Sequence, residues 1–331
     1  MKRWSIVASI LGMSALVLTQ VANTSAAKPF GQNGRIAFAR CITYTPDCED
    51  FLTYTANPDG SDVRPLVAGA SYSPNPRWSP NGNEIALAEP KAQAPGCPVT
   101  SICSAIVVSP DTGTYRGLPW PLPGAWDVDC FAWSPDGKRL ACGAEGEYNT
   151  GTTLSGIYTV RASDGGDAQR ITECGECQPS DFSPDGKRIL YALSEDGSNV
   201  GLFTVKVNGS GVRRITPDWL LFPHGGSWSP TGNEIVFQAQ QPGEFFSIWV
   251  VNADGTGVHQ VPIPGCGTTI RCRLPSWSPD GTKIVLSVRS PGGPSQVAGI
   301  YTVNADGSDL TRLTNNGLGD TQPDWGTHPA S

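Results

Sequence analysis

The chain has 331 residues and a formal net charge of −7 at pH 7, and no run of basic residues occurs in it. This acidic balance argues against nucleic acid or an anionic lipid surface as the main partner. Glycine (39 residues) and proline (29 residues) are both abundant, which is typical of many short strands joined by many turns.

The N-terminus has the order of a secretory signal peptide. Lys2 and Arg3 precede an apolar stretch from Trp4 to Leu18, and the small residues Ser25 and Ala27 follow. We predict that residues 1–27 are a cleaved signal peptide and that residues 28–331 form a single domain. The apolar stretch is shorter than the roughly 20 residues of a membrane-spanning helix. The sequence therefore predicts a secreted or periplasmic, cell-envelope protein without a membrane span, and an uncleaved anchor is the alternative.

The ten cysteines fall into five pairs that are close in sequence. After a signal peptide, an even number of locally paired cysteines predicts disulfides formed in an oxidising compartment. A metal site is the alternative, but the chain has only three histidines and one Cys-x-x-Cys unit, so we predict no metal and no other cofactor. The predicted disulfide pairs are Cys41/Cys48, Cys97/Cys103, Cys130/Cys142, Cys174/Cys177 and Cys266/Cys272.

One phrase, an aromatic residue followed by Ser-Pro-x-Gly, recurs along the chain. Its aromatic residue stands at Trp78, Trp133, Phe182, Trp228 and Trp277, and Trp325-Gly326 is a truncated sixth copy. Proline sets the backbone of a tight turn in this phrase, and glycine accepts the left-handed conformation that ends it. Three further short apolar runs follow each copy. Four short strands in a repeat of this length predict one blade of a β-propeller.

The two ends of the chain carry complementary halves of one repeat. Residues Asn33–Phe38 resemble the second half of a repeat, and Gln322–Trp325 resembles the first half. We therefore predict an all-β fold, a six-bladed β-propeller with four-stranded antiparallel blades. The C-terminal strand joins the N-terminal blade and closes the ring.

These phrases resemble the WD-type repeats of the TolB-like β-propeller family, and the resemblance covers roughly residues 33–326. In bacterial TolB the propeller is periplasmic and binds a peptidoglycan-associated lipoprotein. The resemblance therefore implies a protein-binding propeller of the cell envelope. Similar repeats precede the hydrolase domain of prolyl oligopeptidases, but this chain has no Gly-x-Ser-x-Gly nucleophile motif.

The loops that enter the innermost strands are long and dissimilar, and their face of the disc carries four of the five cysteine pairs. Because function tends to lie on loops held by a rigid scaffold, this face, which the predicted disulfides cross-link, is the predicted binding surface. Tryptophan with carboxylates suits a sugar ring, and tryptophan with arginine and aspartate suits a protein contact. As an alternative, the aromatic residues only cap the blades. The candidate residues at the channel mouth are Trp120, Trp126, Asp127, Asp129, Trp219, Phe222, His224, Arg271, Arg273 and Asp320.

We predict an exported, non-catalytic and monomeric scaffold that binds an envelope or extracellular protein. The alternative is a carbohydrate-binding or carbohydrate-active protein that uses the channel mouth. An enzyme of that kind needs paired carboxylates, for which Asp127, Asp129, Asp181 and Asp320 are the candidates. A purely structural module is the third possibility.

Overall fold

The structure is a computed structural model. It describes residues 31–44, 48–66, 75–88, 103–147, 151–194, 200–290, 298–315, 317 and 319–328. The predicted signal peptide and Cys97 lie outside these residues.

The described chain consists of 24 β-strands. Those of the first half are β1 (Asn33–Tyr44), β2 (Cys48–Ala56), β3 (Arg64–Pro65), β4 (Pro76–Trp78), β5 (Ile85–Leu87), β6 (Cys103–Val108), β7 (Tyr115–Pro119), β8 (Ala125–Trp133), β9 (Arg139–Gly146), β10 (Gly156–Arg161), β11 (Gln169–Glu173) and β12 (Gln178–Phe182). Those of the second half are β13 (Arg188–Ser194), β14 (Val200–Lys206), β15 (Arg213–Arg214), β16 (Leu221–Trp228), β17 (Glu234–Gln240), β18 (Ser247–Asn252), β19 (His259–Gln260), β20 (Arg271–Trp277), β21 (Lys283–Arg289), β22 (Gly299–Asn304), β23 (Thr311–Arg312) and β24 (Asp320–Thr327).

The strands form six four-stranded antiparallel sheets, as the repeats predict. Blade 1 is β24-β1-β2-β3, blade 2 is β4 to β7, blade 3 is β8 to β11, blade 4 is β12 to β15, blade 5 is β16 to β19 and blade 6 is β20 to β23. The first strand of each blade contacts the first strand of the next, so these six strands surround a central axis. Among the described residues no helix is long and apolar enough to cross a bilayer.

The recurring turn has the chemistry that its sequence predicts. In blade 3, Gly137 N donates to Ser134 O at 2.8 Å, and Gly137 has φ +69°. Ser134 Oγ donates to Asp136 Oδ1 at 2.6 Å and accepts from Arg139 N at 2.9 Å. The serine and the aspartate therefore fix the hairpin between the first two strands, which makes the phrase part of the scaffold.

The repeated aromatic residue packs between neighbouring blades. Trp133 of blade 3 is 7% exposed, and its Nε1 donates to Arg77 O of blade 2 at 3.0 Å. At the ring junction, a Cβ on Gly326 of blade 1 would lie 2.5 Å from the Trp78 ring of blade 2. Glycine is therefore required at position 326, because the tryptophan lies directly against the backbone.

The ring closes where β24 pairs with β1, as the split repeat predicts. Trp325 lies opposite Ile36 and Asp324 opposite Ala37 in this antiparallel pair. The strands at the two ends of the described chain therefore share one sheet, and the propeller leaves no open junction between blades 1 and 6.

Four predicted disulfides are confirmed: Cys41–Cys48, Cys130–Cys142, Cys174–Cys177 and Cys266–Cys272. Cys103 is also disulfide-bonded, and its predicted partner lies outside the described residues. Cys130 and Cys142 face each other across β8 and β9, so this pair is the expected cross-strand link. The other three lie at loops on the side of the disc where the innermost strands begin.

Candidate functional site

The axis of the propeller is lined by one residue from each blade, the residue before the repeated aromatic. A cavity of about 220 Å³ is bordered by all six of these residues, and a second cavity of about 230 Å³ toward the Ser-Pro turns shares Asp181, Ser227, Ser276 and Asp324 with it. We call these six residues the axial ring: Arg77, Ala132, Asp181, Ser227, Ser276 and Asp324.

The polar members of the axial ring join neighbouring blades. Asp324 Oδ2 accepts from Trp78 N at 2.7 Å, and Oδ1 accepts from Ser276 Oγ at 3.1 Å. Asp181 Oδ2 accepts from Trp228 N at 2.8 Å. Blade 1 is thus linked to blades 2 and 6, and blade 4 to blade 5. A side-chain oxygen at this position satisfies a backbone donor at the repeated aromatic residue of the next blade.

Asp181 and Asp324 belong to blades 4 and 1, which face each other across the axis. Burial, reinforced by the negative charge of Asp324, raises the pKa of Asp181 to about 7, while the bond from Trp228 N opposes this change. Sequence analysis singled out Asp181 but missed Asp324. The signal that identifies both is positional, because each carboxylate directly precedes the aromatic residue of its repeat.

A second group of side chains lies one step further out, at the mouth where the innermost strands begin. In blade 3, for example, the repeated Trp133 pairs with Leu140 of the second strand, and Asp129 pairs with Gly143, three residues further along that strand. Four other blades have a first-strand residue at the same position. This position is on the same side of each blade as the axial ring. We call these residues the mouth ring: Asp129, Gln178, His224, Arg273 and Thr321.

His224 and Gln178 contact each other between blades 5 and 4, with His224 Nε2 donating to Gln178 Oε1. Burial, together with the positive charges of Arg273 and Arg77, lowers the pKa of His224 to about 4. The imidazole is therefore neutral near pH 7 and serves as a hydrogen-bonding member of the mouth. Sequence analysis placed His224 here but did not identify Gln178.

The four predicted aromatic residues have different positions. Trp126 is 64% exposed at the start of β8, and Phe222 is 48% exposed near the start of β16. Trp219 is also exposed, but it packs edge-on against Trp249 and borders a cavity beside the outer strand β15, away from the axis. Trp120 is buried in the core and packs edge-on against Tyr158, so it presents no binding surface.

The predicted charged residues also divide into two groups. Asp127 and Arg273 are exposed, and Asp129 and Arg271 are half-buried. Asp320 is fully buried and forms an ion pair with Arg40, so it does not face the mouth. Its sequence neighbourhood gave no indication of this, because the partner lies in the first strand of the chain.

The axis and the mouth carry different chemistry. Within the described residues no group of three or more His, Cys, Asp or Glu side chains has a geometry that would hold a metal ion. The axial carboxylates are engaged by backbone donors of the next blade. What the mouth offers is a rigid ring of hydrogen-bonding and charged side chains, flanked by the exposed Trp126 and Phe222.

Comparison with known proteins agrees with this architecture. The chain has the fold of TolB from Acinetobacter baumannii, with a TM-score of 0.66 and 20% identity over 88% of this chain and 66% of that one. It also has the fold of oligogalacturonate lyase from Vibrio parahaemolyticus, with a TM-score of 0.54 and 13% identity over 85% of this chain and 79% of that one. At these identities the likeness concerns the fold alone.

A segment of 127 residues is 35% identical to an uncharacterized protein of Agrobacterium fabrum strain C58, and it covers 37% of this chain and 39% of that protein. The chain thus spans well under two thirds of that relative's length. The family model described as the TolB beta propeller domain matches residues 31–262, which is more than half of the chain. The chain therefore belongs to the TolB β-propeller domain family.

Proposed function

We propose that this protein is an exported interaction scaffold of the cell envelope that binds a protein partner across the channel mouth. The observation that carries the proposal is the mouth ring with Trp126 and Phe222 beside it. The mouth ring projects from five of the six blades. Hydrogen bonds at the axis join neighbouring blades, and local disulfides constrain the strands and loops that lead to the mouth. A surface that is rigid before binding loses little conformational entropy when a partner docks.

The family membership supports the same proposal, since TolB-type propellers bind proteins and act in the periplasm. Exposed aromatic residues in a polar surrounding are the side chains that contribute most to protein contacts. The predicted signal peptide and the disulfides fit an oxidising compartment outside the cytoplasm.

Capture of partners by the oxidised mature protein, residues 28–331, tests this proposal. The immobilised protein is incubated with envelope and secreted fractions of its host, and bound proteins are identified and then purified for affinity measurement. We expect Trp126→Ala to weaken binding by about tenfold or more, as for a hot-spot residue. Trp219→Ala is the matched control, because Trp219 is also more than half exposed but lies beside the outer strand β15.

A partner that binds wild type and both variants equally would place the interaction elsewhere on the protein. The absence of any specific partner in all fractions would contradict the scaffold function.

A carbohydrate is the second candidate ligand, and the position of Trp126 next to Asp127 favours it. A tryptophan face stacks on the apolar side of a sugar ring, and an adjacent carboxylate accepts bonds from its hydroxyl groups. Binding and turnover on a panel of envelope glycans test this candidate, with Trp126→Ala and Asp127→Ala expected to abolish binding. Retention of a glycan by both variants would exclude this use of the mouth.

A further inference from the structure

Blades 3 and 6 lie opposite each other in the ring and carry opposite charges at equivalent positions. In blade 3, Asp127 pairs with Glu145 across β8 and β9. In blade 6, Arg271 pairs with Arg289 across β20 and β21. The two pairs occupy equivalent positions in their blades. Glu145 lies five residues beyond the partner of Trp133, and Arg289 lies five residues beyond the partner of Trp277.

The mouth ring continues this contrast. Asp129 of blade 3 and Arg273 of blade 6 occupy equivalent positions in their blades, because each second-strand partner is two residues closer to that of the repeated tryptophan. Blade 3 therefore carries three carboxylates at these positions, and blade 6 carries three guanidinium groups. Like charges directly opposite each other in a sheet are unfavourable for folding, so the pairing of Asp127 with Glu145 and of Arg271 with Arg289 does not itself stabilise the blades.

The arginines of blade 6 are held in place by aromatic rings. The guanidinium carbon of Arg271 lies 4.8 Å from the centre of the Phe245 ring, and that of Arg273 lies 4.8 Å from the centre of the Phe246 ring. In the described part of the chain, neither of these arginines forms an ion pair with a carboxylate. Stacking orients a guanidinium while leaving its in-plane N–H donors available to a carboxylate.

The positive charges of blade 6 act on one another. The charges of Arg271 and Arg289 lower the pKa of Arg273, after burial as the main cause. The chain as a whole has a net charge of −7, yet within the described residues no carboxylate lies at ion-pair distance from Arg271 or Arg273. A local excess of one sign at a concave mouth attracts a ligand group of the opposite sign.

We propose that the mouth binds an extended segment of a protein partner that presents carboxylates to blade 6 and ammonium or guanidinium groups to blade 3. This inference rests on the proposed function and adds the charge pattern and the direction of the bound segment. A polyanion such as an acidic glycan satisfies blade 6 but is repelled by blade 3. A polypeptide readily carries both signs within a short segment, so the bipolar mouth favours a peptide.

Defined peptides test the proposal without knowledge of the natural partner. The bipolar probe is a fluorescent peptide of three glutamates, twelve Gly/Ser residues and three lysines, and its flexible linker spans about 20 Å on average. The control probes replace either charged block with serines. At low ionic strength, where exposed charges are weakly screened, we expect the bipolar probe to bind about tenfold more tightly than either control.

Variants of the full mature protein then assign the two ends. Arg271→Glu/Arg273→Glu is expected to weaken the bipolar probe by about tenfold or more. Lys206→Glu/Arg213→Glu, the same change of charge on the exposed edge of blade 4, should leave binding unchanged. A spin label on the glutamate end should broaden NMR resonances of blade 6. In the inverted variant Asp127→Arg/Glu145→Arg/Arg271→Glu/Arg273→Glu, it should broaden those of blade 3.

Equal binding of the bipolar and single-sign probes would overturn the proposal, and so would tighter binding of polygalacturonate than of the bipolar probe. Circular dichroism confirms that each variant is folded, so loss of binding is not loss of structure. A captured partner that depends on Trp126 but is indifferent to charge inversion would refute this inference and leave the proposed function standing. If the bipolar peptide binds in the expected direction but no partner is captured from any fraction, the charge pattern of the mouth is supported and the scaffold function is contradicted.

Discussion

Arg40 and Asp320 form a two-point ion pair at the junction where the ring closes. Arg40 Nε lies 2.7 Å from Asp320 Oδ1, and Nη2 lies 3.1 Å from Oδ2. Asp320 is fully buried, and the guanidinium also stacks over the Tyr54 ring at 4.3 Å. The pair joins β1 to β24, whose residues here are 280 positions apart. It therefore stabilises the one blade that both ends of the sequence must build.

Substitution Arg40→Met should strongly destabilise the protein. It leaves the Asp320 carboxylate buried without its cation, which costs roughly 3–5 kcal/mol in comparable pairs. The free energy of unfolding, measured by urea denaturation of the oxidised protein, gives this value directly.

The double variant Arg40→Met/Asp320→Leu is the control for this prediction. Because it removes both charges, we expect it to be more stable than Arg40→Met. A double variant that loses the sum of the two single losses would show that the ion pair contributes no coupling energy.

Stability should decrease as pH rises because of Asp181. The pKa of its carboxyl is raised from 3.8 to about 7 in the folded protein, so the folded state keeps this proton longer than the unfolded chain. Its contribution is complete below pH ~4 and is lost between pH ~4 and ~7. We expect Asp181→Asn to remove this slope and to raise stability at pH 8 by on the order of 1–4 kcal/mol.

Asp136→Asn is the matched control, because the side-chain bond from Ser134 lowers the pKa of Asp136. Its contribution is present above pH ~4 and is lost as the pH falls, so this variant should keep the parental slope between pH 5 and 8. If Asp181→Asn unfolds with the same pH dependence as the parent, Asp181 is already ionised in the native state.

Truncation of two predicted mouth tryptophans should have very different effects on the stability of the protein. Trp120 is 6% exposed in the core of blades 2 and 3, so Trp120→Ala should cost roughly 3–5 kcal/mol of stability. Trp126 is 64% exposed, so Trp126→Ala should change stability by less than about 0.5 kcal/mol. Thermal and urea unfolding measure both. Similar losses in the two variants would contradict the assignment of Trp120 to the core and Trp126 to the surface.

Removal of the cross-strand disulfide should be more costly than removal of the tightest loop disulfide. Cys130 and Cys142 close a loop of 12 positions, and Cys174 and Cys177 close one of 3. Chain-entropy loss alone gives about 3 kcal/mol for the first and about 1.5 kcal/mol for the second. Alanine pairs at each site, compared by urea unfolding, measure the difference. A larger loss for Cys174→Ala/Cys177→Ala would show that the loop face contributes more than chain entropy.

The repeat made most of the fold predictable from sequence. Each Ser-Pro-Asp-Gly phrase specifies its own hairpin through local bonds such as Ser134 with Asp136, and such local chemistry can be read residue by residue. The four confirmed cysteine pairs were predictable for the same reason, since each pair is close in sequence. The split repeat at Ile36 and Trp325 also gave the closure of the ring.

The composition of the mouth depended on the tertiary structure. Trp120, Trp126 and Trp219 all precede or begin an innermost strand in sequence, yet the first is core, the second lies at the mouth and the third packs on Trp249 toward the outer strands. The opposition of Asp127 and Arg271 appears only when blades 3 and 6 face each other. Local turn chemistry determines that blades form. Which side chains share the axis depends on contacts between residues far apart in sequence, and only the closed ring brings those residues together.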